Sequence, residues 1–368
     1  MHILIDKENL ITALSVVQKA TSVNSPLPIL SGIHFKTSAE GVVLSATNLE
    51  IGISTSVAAS VQTQGGTVLP AKYIFDLTRR LPETTIEIIT DQDINSTIIK
   101  YADSEVNLHG FAEDEFPSFS ALPDIPVFKI NQESFRNILK KVVFAVSTEE
   151  YRPIFTGVLF DLNRESMTIV ATDTHRLALQ ITPIELGIEE SQNFIIPGKT
   201  LYEIIKVISS NNSLISIYLS PDNKIIFRND NTVITSRLIE GVYPHYKQVI
   251  PTNFISSFSV ITKDLLNAIE RTIIFAYKSE PIRIHIDETY ISIFLNSEVG
   301  RIREELPIKL KGKVMDLAFN PYYLIDALKV IDTDEVIIKL TGETSAAIIQ
   351  PTEDSNYISL LLPTRLKI

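Results

Sequence analysis

Three times along the chain, an alternating apolar–polar stretch runs straight into a stretch with apolar residues at helical spacing. These begin at His2 (HILIDKENLITALSVVQKA), Phe128 (FKINQESFRNILKKVVFAV) and Phe258 (FSVITKDLLNAIERTIIFAY). The stripes are Leu10, Ala13, Leu14 and Val17; Phe135, Ile138, Leu139 and Val142; and Leu266, Ile269 and Ile273. Asp6, Asn131 and Thr262 stand where a side-chain oxygen can accept from an orphan backbone N–H, so each is a candidate N-cap. A second helix recurs from Pro70, Pro197 and Asn320, and prolines suit such starts because a first-turn residue needs no N–H donor. The spacing predicts helices over 7–19, 70–81, 132–144, 197–208, 263–278 and 320–330, with short antiparallel strands between them. The repeat, roughly 120–130 residues, is too long for a solenoid unit and points to a triplicated domain. The reading is α+β: three similar domains over 1–125, 126–252 and 253–368, each with two helices on one face of antiparallel strands. Proline-bearing linkers are expected near Pro123–Pro126 and Pro244–Pro251.

Composition narrows the class. Among 368 residues 45% are hydrophobic and none is Cys, which excludes a disulfide scaffold, a thiolate zinc site and thiol chemistry. No basic segment leads into a long apolar stretch at the N-terminus, and no apolar run nears the ~20 residues that span a bilayer, so a cytoplasmic protein is expected. The net charge of −11 alone argues against a nucleic-acid partner. Its distribution argues otherwise, because the six helical segments hold 14 Lys/Arg and 7 Asp/Glu while the rest holds 19 and 37. Cations at helix C-termini also simply answer the helix dipole. The alternative is that the helices line one surface facing phosphate, with an acidic exterior suppressing stray adsorption.

Catalytic motifs are missing. Gly198–Thr200 reads GKT, but a P-loop needs glycine where Asn193 stands. The six histidines lack metal-ligand spacing, and neither G-x-S-x-G nor G-x-G-x-x-G occurs. His175 with Asp173 is the one acid–base candidate, and a hydrogen-bonded turn accounts for it better. No enzyme activity, metal or cofactor is expected.

The chain resembles the bacterial DNA polymerase III beta subunit family, the processivity sliding clamps. The resemblance is carried in order by SPLPILSGI (Ser25–Ile33), ATNLEIGI (Ala46–Ile53), LPAKYIFDLTRRLP (Leu69–Pro82), DEFPSF (Asp114–Phe119), YRPIFTGVLF (Tyr151–Phe160), ATDTHRLAL (Ala171–Leu179), EGVYPHYKQVIP (Glu240–Pro251), FNPYYLIDALK (Phe319–Lys329) and LLLPTRL (Leu360–Leu366). It implies the DNA clamp fold. A head-to-tail homodimer forms a closed ring, with helices lining the inside and antiparallel sheets outside. Such a ring encircles double-stranded DNA without sequence preference and is non-catalytic. The implied partners are the polymerase III alpha subunit, the clamp loader and other replication and repair proteins carrying a clamp-binding motif.

The resemblance also implies sites. DNA contacts fall to Lys19, Lys72, Arg79, Arg80, Arg136, Lys140, Lys141, Lys199, Lys206, Arg271 and Lys278. Two loops touch DNA in the family. One is Val23-Asn24-Ser25 here; in the other Glu149 and Glu150 repel phosphate, leaving Tyr151 and Arg152 as its contacts. The partner-peptide cleft maps to Phe155, Thr172, Thr174, His175, Arg176, Leu177, Pro244, Val249, Asn320, Tyr323, Thr344, Ala346, Leu360, Leu362, Pro363, Thr364 and Arg365. For Leu177, Val249, Leu360 and Leu362, ordinary core packing is the competing reading. Ring closure implies pairing of strands over Asp103–Leu108 and Glu298–Leu306, with Val106, Leu108, Ile274 and Phe275 as apolar contacts. Ion pairs are expected between Asp103/Glu105 and Arg301/Arg303. A three-domain protein-binding scaffold that does not encircle DNA is the alternative function.

Overall fold

The computed structural model describes residues 1–22, 25–188, 190–208, 212–277 and 280–364. Among the described residues six α-helices form: α1 Lys7–Val17, α2 Ala71–Arg80, α3 Gln132–Val143, α4 Gly198–Val207, α5 Thr262–Ile273 and α6 Pro321–Lys329. The chain divides into two compact units, one of residues 1–133 and 203–238, the other of 134–202 and 239–368.

The first unit holds two antiparallel sheets. Its five-stranded sheet runs Ser60–Thr63, His2–Asp6, Thr85–Asp91, Ser96–Tyr101, Ser104–His109. Its eight-stranded sheet runs Phe128–Asn131, Leu214–Ser220, Lys224–Arg228, Thr232–Arg237, Ile51–Val57, Gly41–Thr47, Gly32–Ser38, Gly66–Pro70. The second unit repeats the plan. A nine-stranded sheet runs Gln192–Pro197, Gly157–Leu162, Ser166–Thr172, Arg176–Pro183, Tyr357–Leu361, Ala347–Pro351, Glu335–Leu340, Ser256–Ile261, Lys311–Gly312. A four-stranded sheet runs Gly300–Pro307, Tyr290–Ser297, Ile282–Ile286, Met315–Phe319. Strands from the predicted central segment, 126–252, therefore join both large sheets. Thr232 pairs with Thr55 in one, and Leu177 with Leu360 in the other.

Helix packing follows the apolar stripes, with one shift. On α1 the buried residues are Leu10, Ala13, Leu14 and Val17. On α3, Phe135, Leu139 and Val142 are buried and Ile138 half-buried. On α5 the buried face is Leu265, Ala268, Ile269 and Thr272, so Ile269 of the predicted stripe is core while Leu266 and Ile273 only flank it.

Two of the three capping expectations need correction. The Asp6 carboxylate accepts from the Thr85 hydroxyl at 3.1 Å and caps nothing. Thr262 is already inside α5, where its hydroxyl donates to the Thr333 carbonyl at 2.8 Å. At α6, Asn320 does cap, its Oδ1 accepting from the Tyr322 N–H at 3.0 Å with Pro321 following.

Candidate functional site

The predicted phosphate-facing cations fall into two groups. Lys72, Lys140 and Arg152 are exposed, and Arg136 is half-buried. Others already face acids. Arg79 and Arg80 both reach the Asp76 carboxylate, one turn back on α2, at 3.3 and 3.6 Å. Lys206 pairs with Glu203 at 2.8 Å, and Lys19 donates to the Lys206 carbonyl at 3.3 Å, which brings these two lysines together in the first unit. Burial holds the Lys19 ammonium below its ordinary value, and Glu203 offsets part of that effect.

In the second unit, Lys199 reaches Glu150 at 3.0 Å, both side chains being about four-fifths exposed (81% and 80%). Beside them the Tyr151 hydroxyl donates to Glu149 at 2.5 Å, and Arg152 lies over the Tyr151 ring. Lys141 is turned inward, 3.4 Å from Asp354 and over the Tyr357 ring. Arg271 clamps Glu304 with two bonds of 2.8 and 2.7 Å. These charges are largely spent within the chain, which net charge per helix could not reveal. Lys278, Val23 and Asn24 lie outside the described residues.

The predicted cleft residues gather around one turn of the second unit. Thr172 to Arg176 reverse the chain with Thr174 at φ +77°, and the Thr172 hydroxyl donates to the Arg176 carbonyl at 2.6 Å. Asp173 accepts from the backbone N–H groups of His175 and Arg176, both at 2.9 Å, and from Arg176 Nε at 3.0 Å. The guanidinium goes on to Asp326 at 2.6 Å and the Phe144 carbonyl at 2.7 Å, and covers the Tyr323 ring 4.5 Å from its centroid. One arginine thus ties the turn to α6 and to the end of α3. His175 stacks on Tyr323, and the Leu362 N–H donates to the His175 carbonyl at 2.9 Å. Thr364 is held by the Ala318 carbonyl at 2.7 Å, and Asn320 is the α6 cap.

The four doubtful apolar residues separate cleanly. Leu177 and Leu360 are buried in a cluster with Leu159, Val170, Ile195, Tyr243 and Tyr246, so they are core. Val249 and Leu362 are 57% and 42% exposed. Pro244 and Thr344 are exposed, Phe155 and Pro363 half-buried, and Ala346 packs partly on the cluster. An apolar floor, two exposed aliphatic residues and a fixed guanidinium suit an extended peptide with an apolar end. Arg365 lies outside the described residues. Asp173 reaches only the backbone of His175, so the pair lacks the orienting bond an acid–base couple needs.

The strands expected to close the ring are both sheet edges. Ser104–His109 ends the five-stranded sheet and Gly300–Pro307 the four-stranded one. Asp103 belongs to the turn before the first strand, and Glu298 with Val299 forms the two-residue turn before the second, so both strands start later than predicted. Alternation sorts their faces. Val106 and Leu108 are half-buried while Glu105, Asn107 and His109 are exposed. Likewise Ile302, Glu304 and Leu306 are half-buried while Arg301, Arg303 and Glu305 are exposed. Arg303 pairs within its own strand, with Glu305 at 2.6 Å. Ile274 is 75% exposed at the end of α5 and Phe275 half-buried; sequence reasoning missed Val299, 81% exposed nearby in a turn position that ordinarily takes a polar residue. Among the described residues no cluster of His, Asp or Glu could hold a metal ion.

Comparison with known proteins gives a consistent picture. Family models of the DNA polymerase III beta subunit match in order: the N-terminal domain over residues 1–120, the central domain over 129–245 and the C-terminal domain over 247–365. A beta sliding clamp from Halalkalibacterium halodurans is 34% identical, covering 99% of this chain and 100% of its own length. The beta sliding clamp of Bacillus subtilis is 31% identical over the same shares. The crystal structure of the Bacillus subtilis DNA polymerase sliding clamp superposes with a TM-score of 0.94 at 30% identity, covering 100% of both chains.

Proposed function

This chain belongs to the DNA polymerase III beta subunit family, and we propose that two copies of it close head to tail around duplex DNA and tether a polymerase there. It is a sliding clamp, a non-catalytic processivity factor of DNA replication. The observation that carries this is the ordered match of all three family domains along the whole chain; the scaffold alternative leaves that match unexplained.

A clamp must hold DNA without choosing a sequence and without stopping. Phosphate contacts carry no base information, so lysine and arginine on helices suit the task. Retention by topology allows each contact to stay weak. The exposed Lys72, Lys140 and Arg152 are the best supported contacts, while Arg79, Arg80, Lys141, Lys199, Lys206 and Arg271 reach phosphate only by leaving an acid. The three clamp domains are assigned to 1–125, 126–252 and 253–368.

Ring closure is assigned to the two open edges. Glu105 on one exposed face suits Arg301 and Arg303 on the other, and the half-buried faces offer Val106 and Leu108 to Ile274 and Phe275. Such rim pairs contribute about 0–1 kcal/mol each and act mainly on register and partner choice. The turn at His175 with Val249 and Leu362 is the docking cleft for the polymerase III alpha subunit, the clamp loader and other motif-bearing proteins, in the cytoplasm. No described helix is long and apolar enough to cross a membrane.

The test is topological. Loaded on a nicked circular duplex, the protein should be retained, and linearisation should release it within the time needed to slide off. Equal loss from circular and linear DNA would refute encirclement.

A further inference from the structure

Among the described residues Gly300–Pro307 has only one strand neighbour in the four-stranded sheet, so its ladder is pinned on one side alone. A one-residue slip of such an edge would exchange its two faces, putting Arg301 and Arg303 against α5 and Glu304 outward. Leu306 packs partly on the core, but Ile302 and Leu306 are separated by a carboxylate, which weakens the apolar case for this face. What holds that carboxylate inward is Arg271. Its Nε and terminal nitrogen reach the two Glu304 oxygens at 2.8 and 2.7 Å, a fork that fits only this placement. The pairing holds the Glu304 carboxyl below its usual range against the opposing effect of burial.

We propose that Arg271 is a positioning residue for subunit association: by fixing Glu304 against α5 it selects which face of the Gly300–Pro307 edge a second copy meets. An inward-pointing charge on an edge also disfavours indiscriminate strand addition. The inference rests on the edge-to-edge reading of the ring.

The experiment is the dissociation constant of the full-length protein from sedimentation over a dilution series. Arg271→Lys keeps a cation on α5 but loses the fork, and Glu304→Gln loses the anion. Each should weaken association on the order of tenfold, and the exchanged pair Arg271→Glu/Glu304→Arg should recover most of that loss. A phosphate contact alone would leave the constant unmoved in Arg271→Lys. Melting of the same substitution in an Arg301→Glu/Arg303→Glu background reads the pair's share in folding. An association loss no larger than that share overturns the proposal. If Arg301→Glu/Arg303→Glu weakens the dimer but Arg271→Lys and Glu304→Gln do not, this inference alone falls. If none of them weakens it, the edge reading falls as well.

Discussion

Arg176 carries more of the candidate cleft than any other single side chain. It is almost entirely buried, and it joins two carboxylates, one carbonyl and two aromatic faces. Truncation leaves Asp173 buried without its cation, whereas Asp326, 41% exposed, can turn to water. Arg176→Ala should therefore cost about 2–3 kcal/mol, the low end for breaking a buried charge pair. Urea unfolding of the full chain measures this, and an apolar-ended peptide should bind the variant more weakly. A second residue sets a pH dependence. Burial holds the His34 imidazole below its ordinary value of 6.5, and the Glu113 carboxylate, 3.3 Å away, offsets only part of that. Glu113 itself is held low by Lys36 and His34 against burial, and Lys36 is the other charged group facing the pair. Below pH 6.5 the unfolded chain takes up a proton that folded His34 resists, so its contribution is present above that pH and fades as pH falls. Unfolding midpoints of the natural protein and His34→Gln should differ in slope between pH 7.5 and 5; parallel slopes would remove His34 from the account.

At the scale of elements, α6 shows how a local signal and a distant site coincide. The resemblance places Asn320 in the cleft, yet its side chain caps the helix that presents Tyr323 and Asp326 to Arg176. Asn320→Ala should cost about 1 kcal/mol of stability, read by the same denaturation, and loosen peptide binding without removing a peptide contact. The helices were legible because proline starts and apolar stripes are local. On α5 the stripe is right at Ile269 and wrong at Leu266, because Leu265 and Leu266 are chemically equivalent and only packing against the sheets chooses between them. Helical spacing shows the acid one turn from Arg79, Arg80 and Lys206, but the fate of the other cations was not legible. Lys141 meets Asp354 and Arg271 meets Glu304 across gaps that no periodicity spans. Leu177 and Val249 likewise look alike in sequence, and only tertiary burial makes one core and leaves the other open.

For the molecule as a whole, an acidic protein that holds DNA must confine its useful positive charge to a few positions. Each cation that neutralises a phosphate releases counterions and steepens the fall of affinity with salt by about 0.9 in the logarithmic slope. A lysine already paired with an acid contributes less, because reaching phosphate means giving up that partner and leaving a like charge beside the DNA. Lys199 beside Glu150 and Lys206 beside Glu203 are such cases, whereas Lys72 and Lys140 are exposed with no acidic partner among the described residues. Direct binding of the unloaded protein to a short linear duplex, followed from 50 to 200 mM salt, separates the two classes. Lys72→Gln and Lys140→Gln should each lower the slope by about 0.9, while Lys199→Gln and Lys206→Gln should lower it by clearly less. The complementary change, Glu150→Gln, should raise both affinity and slope by removing an acid that competes with phosphate for Lys199 and repels the DNA. Equal slopes for all four lysine variants would mean that the intramolecular pairs dissolve freely on DNA, and that net charge per helix, with no regard to pairing, is the quantity that governs binding.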